Sequence, residues 1–158
     1  MEIALIDTSI LIEPFTPWKN NEPNYKQLCL ALLQDKLYPF RKQFKPVISL
    51  GVIGEFNLIV HEKSYIKKEL EDKRERIGEI TQHFFNRCEF VGLSRETIAL
   101  CNQIFYIDDR MDPLDALHIA TAISEKCQNF MFIDYALKEN IEIKKSLCLS
   151  TPSGVGLS

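Results

Sequence analysis

No stretch of this sequence approaches the ~20 consecutive apolar residues that a helix needs to cross a bilayer, so a helical membrane span is not expected. Five cysteines are present, Cys29, Cys88, Cys101, Cys127 and Cys148, but no two stand in Cys-x-x-Cys spacing. That argues against a zinc site or a redox motif. Scattered, odd in number and set among apolar neighbours, they read as buried thiols in a reducing compartment. Positive charge is not in excess either: 19 Lys and Arg face 22 Asp and Glu, for a net charge of −3. A protein that wraps nucleic acid by charge alone is usually basic, so this chain either holds phosphates in another way or does not hold them. His61-Glu62 opens like a zinc-protease helix, but Tyr65 stands where the second histidine must be. There is no internal repeat. Acidic Glu2 in a strand-like N-terminus does not suit a secretory leader, and the expected location is the cytoplasm.

What is present is ordinary globular material. The 158 residues are 46% hydrophobic and 26% charged, enough for one domain with a real core and too few for two. We expect a single domain over 1–150 and a tail over 151–158, where Pro, Ser and Gly occur without periodicity. Glu2 to Ile6 is a short apolar run without alternation, which fits a strand buried on both faces. Pro46 to Ile48, Cys88 to Leu93, Phe130 to Ile133 and a stretch within Ile143 to Leu149 read as further strands, the last at an edge. Helical spacing of apolar residues marks Tyr25 to Tyr38, Leu50 to about Tyr65 with Ser49 as its cap, the charged Lys67 to Arg87, a helix from Ser94 to near Asp108, Asp112 to Lys126 with Pro113 in its first turn, and a short helix over Tyr135 to Asn140. Gly51 and Gly54, three apart, can let their helix approach a strand closely. Strands alternating with helices predict an α/β fold, a parallel sheet of four to five strands with helices on both faces.

Four acids interrupt this pattern. Asp7 and Asp134 each close an apolar strand. Glu55 stands inside Val52-Ile53-Gly54-Glu55-Phe56, where a helix should turn its apolar face to a sheet. Asp115 lies in the first turn of its helix. Each has a modest explanation alone. Asp7 and Asp134 can cap the helices that follow them, Asp112 and Asp115 are spaced as a cap and its third helical residue, and Glu55 can reach solvent or Lys63. Together they are harder to dismiss, because a parallel sheet puts its strand carboxyl ends and helix N-termini along one edge, where ligands bind. Two carboxylates ~4 Å apart at an effective dielectric of ~20 repel by about 4 kcal/mol, so such a cluster must take up protons or a cation. All-oxygen ligands suit Mg²⁺ or Mn²⁺, which can activate water and neutralise charge at a phosphodiester. His118, three residues after Asp115, shares its helix face and reads foremost as a hydrogen-bonded helix histidine, with a contact to substrate phosphate as the alternative.

These residues resemble the PIN-domain family of metal-dependent ribonucleases, many of them VapC-type toxins of toxin–antitoxin pairs. The resemblance runs from Ile3 to about Pro152. It rests on Ile6-Asp7-Thr8-Ser9, Val47-Ile48-Ser49 followed by Glu55, Asp115-Ala116-Leu117-His118-Ile119-Ala120-Thr121-Ala122, and Phe132-Ile133-Asp134 with Leu137 behind it. It implies a Rossmann-like sheet with the first strand central. It also implies a metal site at Asp7, Glu55, Asp115 and Asp134 that holds Mg²⁺ or Mn²⁺, with Thr8 near it; Asp112 is a further neighbour to consider. The implied activity is endonucleolytic cleavage of RNA, single-stranded by preference, with an antitoxin protein and a second copy of the chain as expected partners. The alternative is a catalytically weak or inactive module that binds RNA or protein. Phe132 favours that alternative, since many members carry Thr or Ser two residues before the last aspartate.

Overall fold

A computed structural model describes residues 1–16, 25–61, 68–107, 109–133 and 148–150. Five strands form one sheet: β1 Glu2–Ile6, β2 Phe44–Ser49, β3 Glu89–Val91, β4 Asn129–Met131 and β5 Cys148–Ser150. Their order is β3-β2-β1-β4-β5 and every neighbouring pair runs parallel. The expected α/β architecture is therefore present, with β1 central and β5 at an edge. Beyond Ser150 the proposed tail lies outside the described residues, as does the helix expected over Tyr135 to Asn140.

The apolar runs are uniform because both faces of the sheet are covered. Successive side chains of a strand point to opposite faces. Ala4 and Ile6 enter one core with Ile48 and Met131, packed by α1 Thr8–Ile12, α2 Lys26–Leu33, α4 Leu50–His61 and α6 Arg74–Phe85. Leu5 enters the other with Val47, Phe130 and Phe132, packed by α7 Arg95–Ile107 and α8 Pro113–Ser124. Chain direction across the sheet reverses at β1, with β2 and β3 on one side and β4 and β5 on the other. The carboxyl ends of β1 and β4 are thus the switch point at which a ligand crevice forms in such sheets.

Two expected helices are interrupted, one cut short and one divided in two. The stretch expected as one helix over Tyr25 to Tyr38 ends at Leu33, and α3 Tyr38–Gln43 begins afresh. Asp35 adopts φ 61°, and the Lys36 amide donates back to the Ala31 carbonyl at 2.8 Å, a left-handed stop that Asp tolerates better than most residues. The Asp35 carboxylate then pairs with Arg41 at 3.1 Å and Arg87 at 3.4 Å, which ties the turn to α3 and to the end of α6. The charged stretch from Lys67 likewise divides into α5 Lys68–Glu71 and α6.

The caps follow their expected places. Ser49 Oγ accepts from the Val52 amide at 3.1 Å and starts α4, and Ser94 Oγ accepts from Thr97 N at 3.2 Å to start α7. No described helix is long and apolar enough to cross a membrane.

Candidate metal centre

Asp7 follows β1 directly, and its amide still donates to the Met131 carbonyl of β4 at 2.9 Å. Its two side-chain oxygens do different work. Oδ2 caps α1, accepting from Ser9 N at 3.2 Å and from Ser9 Oγ at 2.6 Å. Oδ1 is buried with no hydrogen-bond partner among the described residues. The cap thus holds one oxygen and leaves the other turned toward Glu55 and His118. Ser9 Oγ also accepts from the Ile133 amide at 3.1 Å, so the hydroxyl that grips Asp7 also fixes the chain just before Asp134. Asp134 itself lies outside the described residues, as does Lys63, the alternative partner for Glu55.

Glu55 is half-buried, one and a half turns into α4. Its Oε1 accepts from His118 Nε2 at 3.2 Å, and the same nitrogen lies 3.8 Å from Asp7 Oδ1. His118 is completely buried on α8. Ligand atoms of Asp7, Glu55 and His118 all fall within 4.8 Å of one another.

Gly51 is what lets α4 and α8 approach. A Cβ there would lie 3.1 Å from Leu117 Cδ2 and 3.4 Å from His118 Nδ1. The expectation of close approach through glycine is met at Gly51, against a helix rather than a strand; Gly54 has open space around it.

Proton affinities in the cluster move in different directions. Burial pushes the Asp7 carboxyl above its usual value, against the opposing pull of His118 and Ser9, and the Glu55 charge adds to the rise. Glu55 feels burial too. The hydrogen bond from His118, the nearby Thr8 hydroxyl and the imidazole charge outweigh it and leave Glu55 below the usual range. Thr8 is itself buried, and its Oγ1 makes no well-formed hydrogen bond among the described residues. For His118, burial pulls the value down, but the Glu55 hydrogen bond and the charges of Asp7, Glu55 and Asp115 raise it overall.

Asp115 lies one turn before His118 on α8, half-buried and near enough to act on its charge, but outside the tight group of three. Asp112 is exposed and caps α8, with Oδ1 accepting from Leu114 N at 2.8 Å and Asp115 N at 3.3 Å. The structure thus brings Asp7 and Glu55 together, puts Thr8 beside them and Asp115 at their margin, and gives Asp112 a capping role. His118 is the hydrogen-bonded helix histidine that the sequence favours, and its place between the two acids is what the structure adds. The signal was a histidine within Ala116-Leu117-His118-Ile119-Ala120, since a buried imidazole demands a polar partner.

The donor set fits a hard divalent cation: two carboxylates converge, and Asp7 Oδ1 is buried with no hydrogen-bond partner among the described residues, 3.8 Å from His118 Nε2. Set on the switch point of a parallel sheet, the cluster holds two of the four acids that the sequence resemblance implies, with Asp115 at its margin, and the PIN domain family model matches residues 4–140. The chain belongs to the PIN domain family.

Solved structures with the same fold include VapBC2 from Rickettsia felis bound to a DNA fragment from their promoter, with TM-score 0.61, 18% identity, and coverage of 94% of this chain and 98% of that one. FitAcB from Neisseria gonorrhoeae aligns with TM-score 0.60 and 19% identity over 95% of this chain and 98% of that one. FitAB bound to an IR36 DNA fragment aligns with TM-score 0.59 and 21% identity over 94% of each chain. No curated protein matches. At these identities the likeness to this PIN domain is one of fold.

Proposed function

We propose that this PIN domain is a metal-dependent endoribonuclease. The observation that carries the reading is Asp7 Oδ1, a buried carboxylate oxygen without a hydrogen-bond partner among the described residues, facing Glu55 and His118 at the carboxyl edge of the sheet. A buried charged oxygen left unpaired is costly, and a cation relieves that cost. A bound Mg²⁺ or Mn²⁺ supplies an activated water and charge neutralisation at the scissile phosphate. The residues of the chain prepare its place. Ser9 fixes the Asp7 carboxylate, α4 brings Glu55 opposite it, and Asp115 adds negative charge at the margin. Asp134 is proposed as the fourth acid on the sequence resemblance, with Ser9 holding the residue before it.

Cleavage of labelled single-stranded RNA with Mn²⁺, with Mg²⁺ and with EDTA tests the reading. Glu55→Gln should lower the metal-dependent rate by ~10²–10³-fold, the equivalent of several kcal/mol of lost charge stabilisation. An undiminished rate in the variant removes Glu55 from the site.

A toxin role, with an antitoxin protein as partner, is proposed on the resemblance and on the likeness to the VapBC2 and FitAB assemblies; a cytoplasmic location and a homodimer go with it. Expression in a bacterial host should arrest growth, and Asp7→Asn should release the arrest. Arrest by the variant as well would detach toxicity from this site.

One observation favours the rival reading of an inactive binding module. His118 Nε2 already sits 3.2 Å from Glu55 and 3.8 Å from Asp7, so a protonated imidazole can neutralise the acids with no metal. Thermal melting separates the two, because a true metal site is stabilised by mass action, by about 2.7 kcal/mol at a hundred times the dissociation constant. No shift at millimolar Mn²⁺ would favour the rival.

A further inference from the structure

The imidazole of His118 has two conceivable roles in the cluster, and its surroundings choose between them. Its Nε2 faces the acids, while Nδ1 is buried against the bare backbone of Gly51, with no hydrogen-bond partner among the described residues. As a metal ligand through Nε2, the ring would carry its proton on Nδ1. Ligating histidines almost always donate that second N–H to a carboxylate, a carbonyl or a water. Here it would be a buried donor with nothing to receive it, and the bond to Glu55 would be lost at the same time. The other tautomer leaves Nδ1 a bare acceptor but keeps the Nε2 bond to Glu55. As a donor, Nε2 carries the proton and Glu55 Oε1 accepts it at 3.2 Å.

We propose that His118 is a positioning residue whose Nε2–H holds the Glu55 carboxylate in place, so that the cation is bound by oxygen atoms alone. The inference rests on the metal-centre reading of the same site and goes beyond it. Gly51 is part of the device, because a side chain there would press on the ring one helical turn before Glu55. An oxygen-only site selects Mg²⁺ or Mn²⁺, whereas an imidazole ligand would draw zinc and its neighbours. His118 then acts on metal binding through Glu55, without touching the ion.

The experiment loads the full chain and its His118→Gln and His118→Leu variants with Mn²⁺. It follows melting temperature against Mn²⁺ concentration, and it looks for a directly bonded ¹⁴N in the pulsed EPR spectrum of the bound ion. Glutamine can place an amide N–H near the position of Nε2 and keep the donor; leucine cannot. Wild type and His118→Gln should bind Mn²⁺ alike, His118→Leu should bind ~10–100-fold more weakly, as changes to outer-shell partners of a metal do, and no bonded nitrogen should appear. A strong ¹⁴N coupling in the wild type that vanishes in both variants makes His118 a ligand and overturns the proposal while leaving the metal centre standing. Unchanged affinity in His118→Leu overturns the positioning role. No melting shift in the wild type overturns the metal centre and this proposal with it. Should His118→Leu fail to fold, the wild-type spectrum and His118→Gln still decide.

Discussion

Asp7→Asn should melt higher than the wild-type chain in EDTA and cut no RNA. The two effects have one cause. Asp7 is buried at the centre of the sheet edge, its Oδ1 lacks a hydrogen-bond partner among the described residues, and Glu55 adds like charge nearby. Without a cation, the ionised carboxylate costs about 1–3 kcal/mol, the penalty of an unsatisfied buried polar group. Asparagine removes the charge and keeps an oxygen for the two bonds from Ser9. At roughly 2–4 °C per kcal/mol for a chain of this size, the gain should be several degrees by calorimetry. The same substitution removes the cation's anchor, so Mn²⁺ should no longer raise the melting temperature, and cleavage should fall by ~10³-fold or more, as expected for the loss of several kcal/mol at the charge-bearing step. A variant that melts lower in EDTA would show that the Asp7 charge stabilises the metal-free fold, through the His118 imidazole 3.8 Å away, rather than weakening it.

The pH dependence of the metal-free protein follows from the same burial. The folded-state value of Asp7 is raised, so its contribution to stability is complete below the usual carboxylate range and is lost as pH rises through the raised value. His118, also raised, works in the same direction, losing its contribution as pH rises past its own value. Glu55 is lowered and contributes fully above the usual glutamate range. From mildly acidic to neutral pH, the wild-type chain in EDTA should therefore lose stability, and Asp7→Asn should lose less. Saturating Mn²⁺ should reverse the trend, since ligands must be deprotonated to bind.

The central strand was legible because it is buried on both faces, which makes its apolar run uniform, and its closing carboxylate stood out only together with the other acids. Glu55 was legible for a similar reason, as an acid within an apolar helix face. The helix end at Asp35 was not: with φ of 61° it is a left-handed stop other than glycine, so the usual punctuation is missing from the sequence, whereas the left-handed Lys126 closes α8 where that helix is expected to end. His118 was half-legible. Its spacing from Asp115 put it on the right face, but which acids it meets depends on how closely α4 lies on α8, and that depends on Gly51, whose lack of a side chain gives no sign of which element it approaches. Asp7 illustrates a different limit. Capping and ligand readings compete for one residue in the sequence, and the separate environments of Oδ1 and Oδ2 make them compatible.

Phe132→Thr should cost about 3–5 kcal/mol, the usual loss when a buried phenylalanine is cut back, without speeding cleavage. Position 132 is where a hydroxyl was anticipated, and its phenylalanine was the feature that favoured an inactive module. In the fold the ring is wholly buried between β4 and α8, stacked on Phe130 with centroids 5.6 Å apart and planes 20° from parallel. It shares that core with Leu5, Ala116 and Ile119, the residues that hold β1 against the helix carrying Asp115 and His118. Threonine would leave a cavity and bring a hydroxyl that needs a partner. A loss of this size moves the melting temperature by roughly 10 °C or more, readable alongside a urea titration. Near the last aspartate a hydroxyl is already supplied, by Ser9 to the Ile133 amide, so position 132 is free to serve the core. If the folded fraction of Phe132→Thr instead cut RNA several-fold faster than wild type, the phenylalanine would be what restrains the site, and the inactive-module reading would regain its footing.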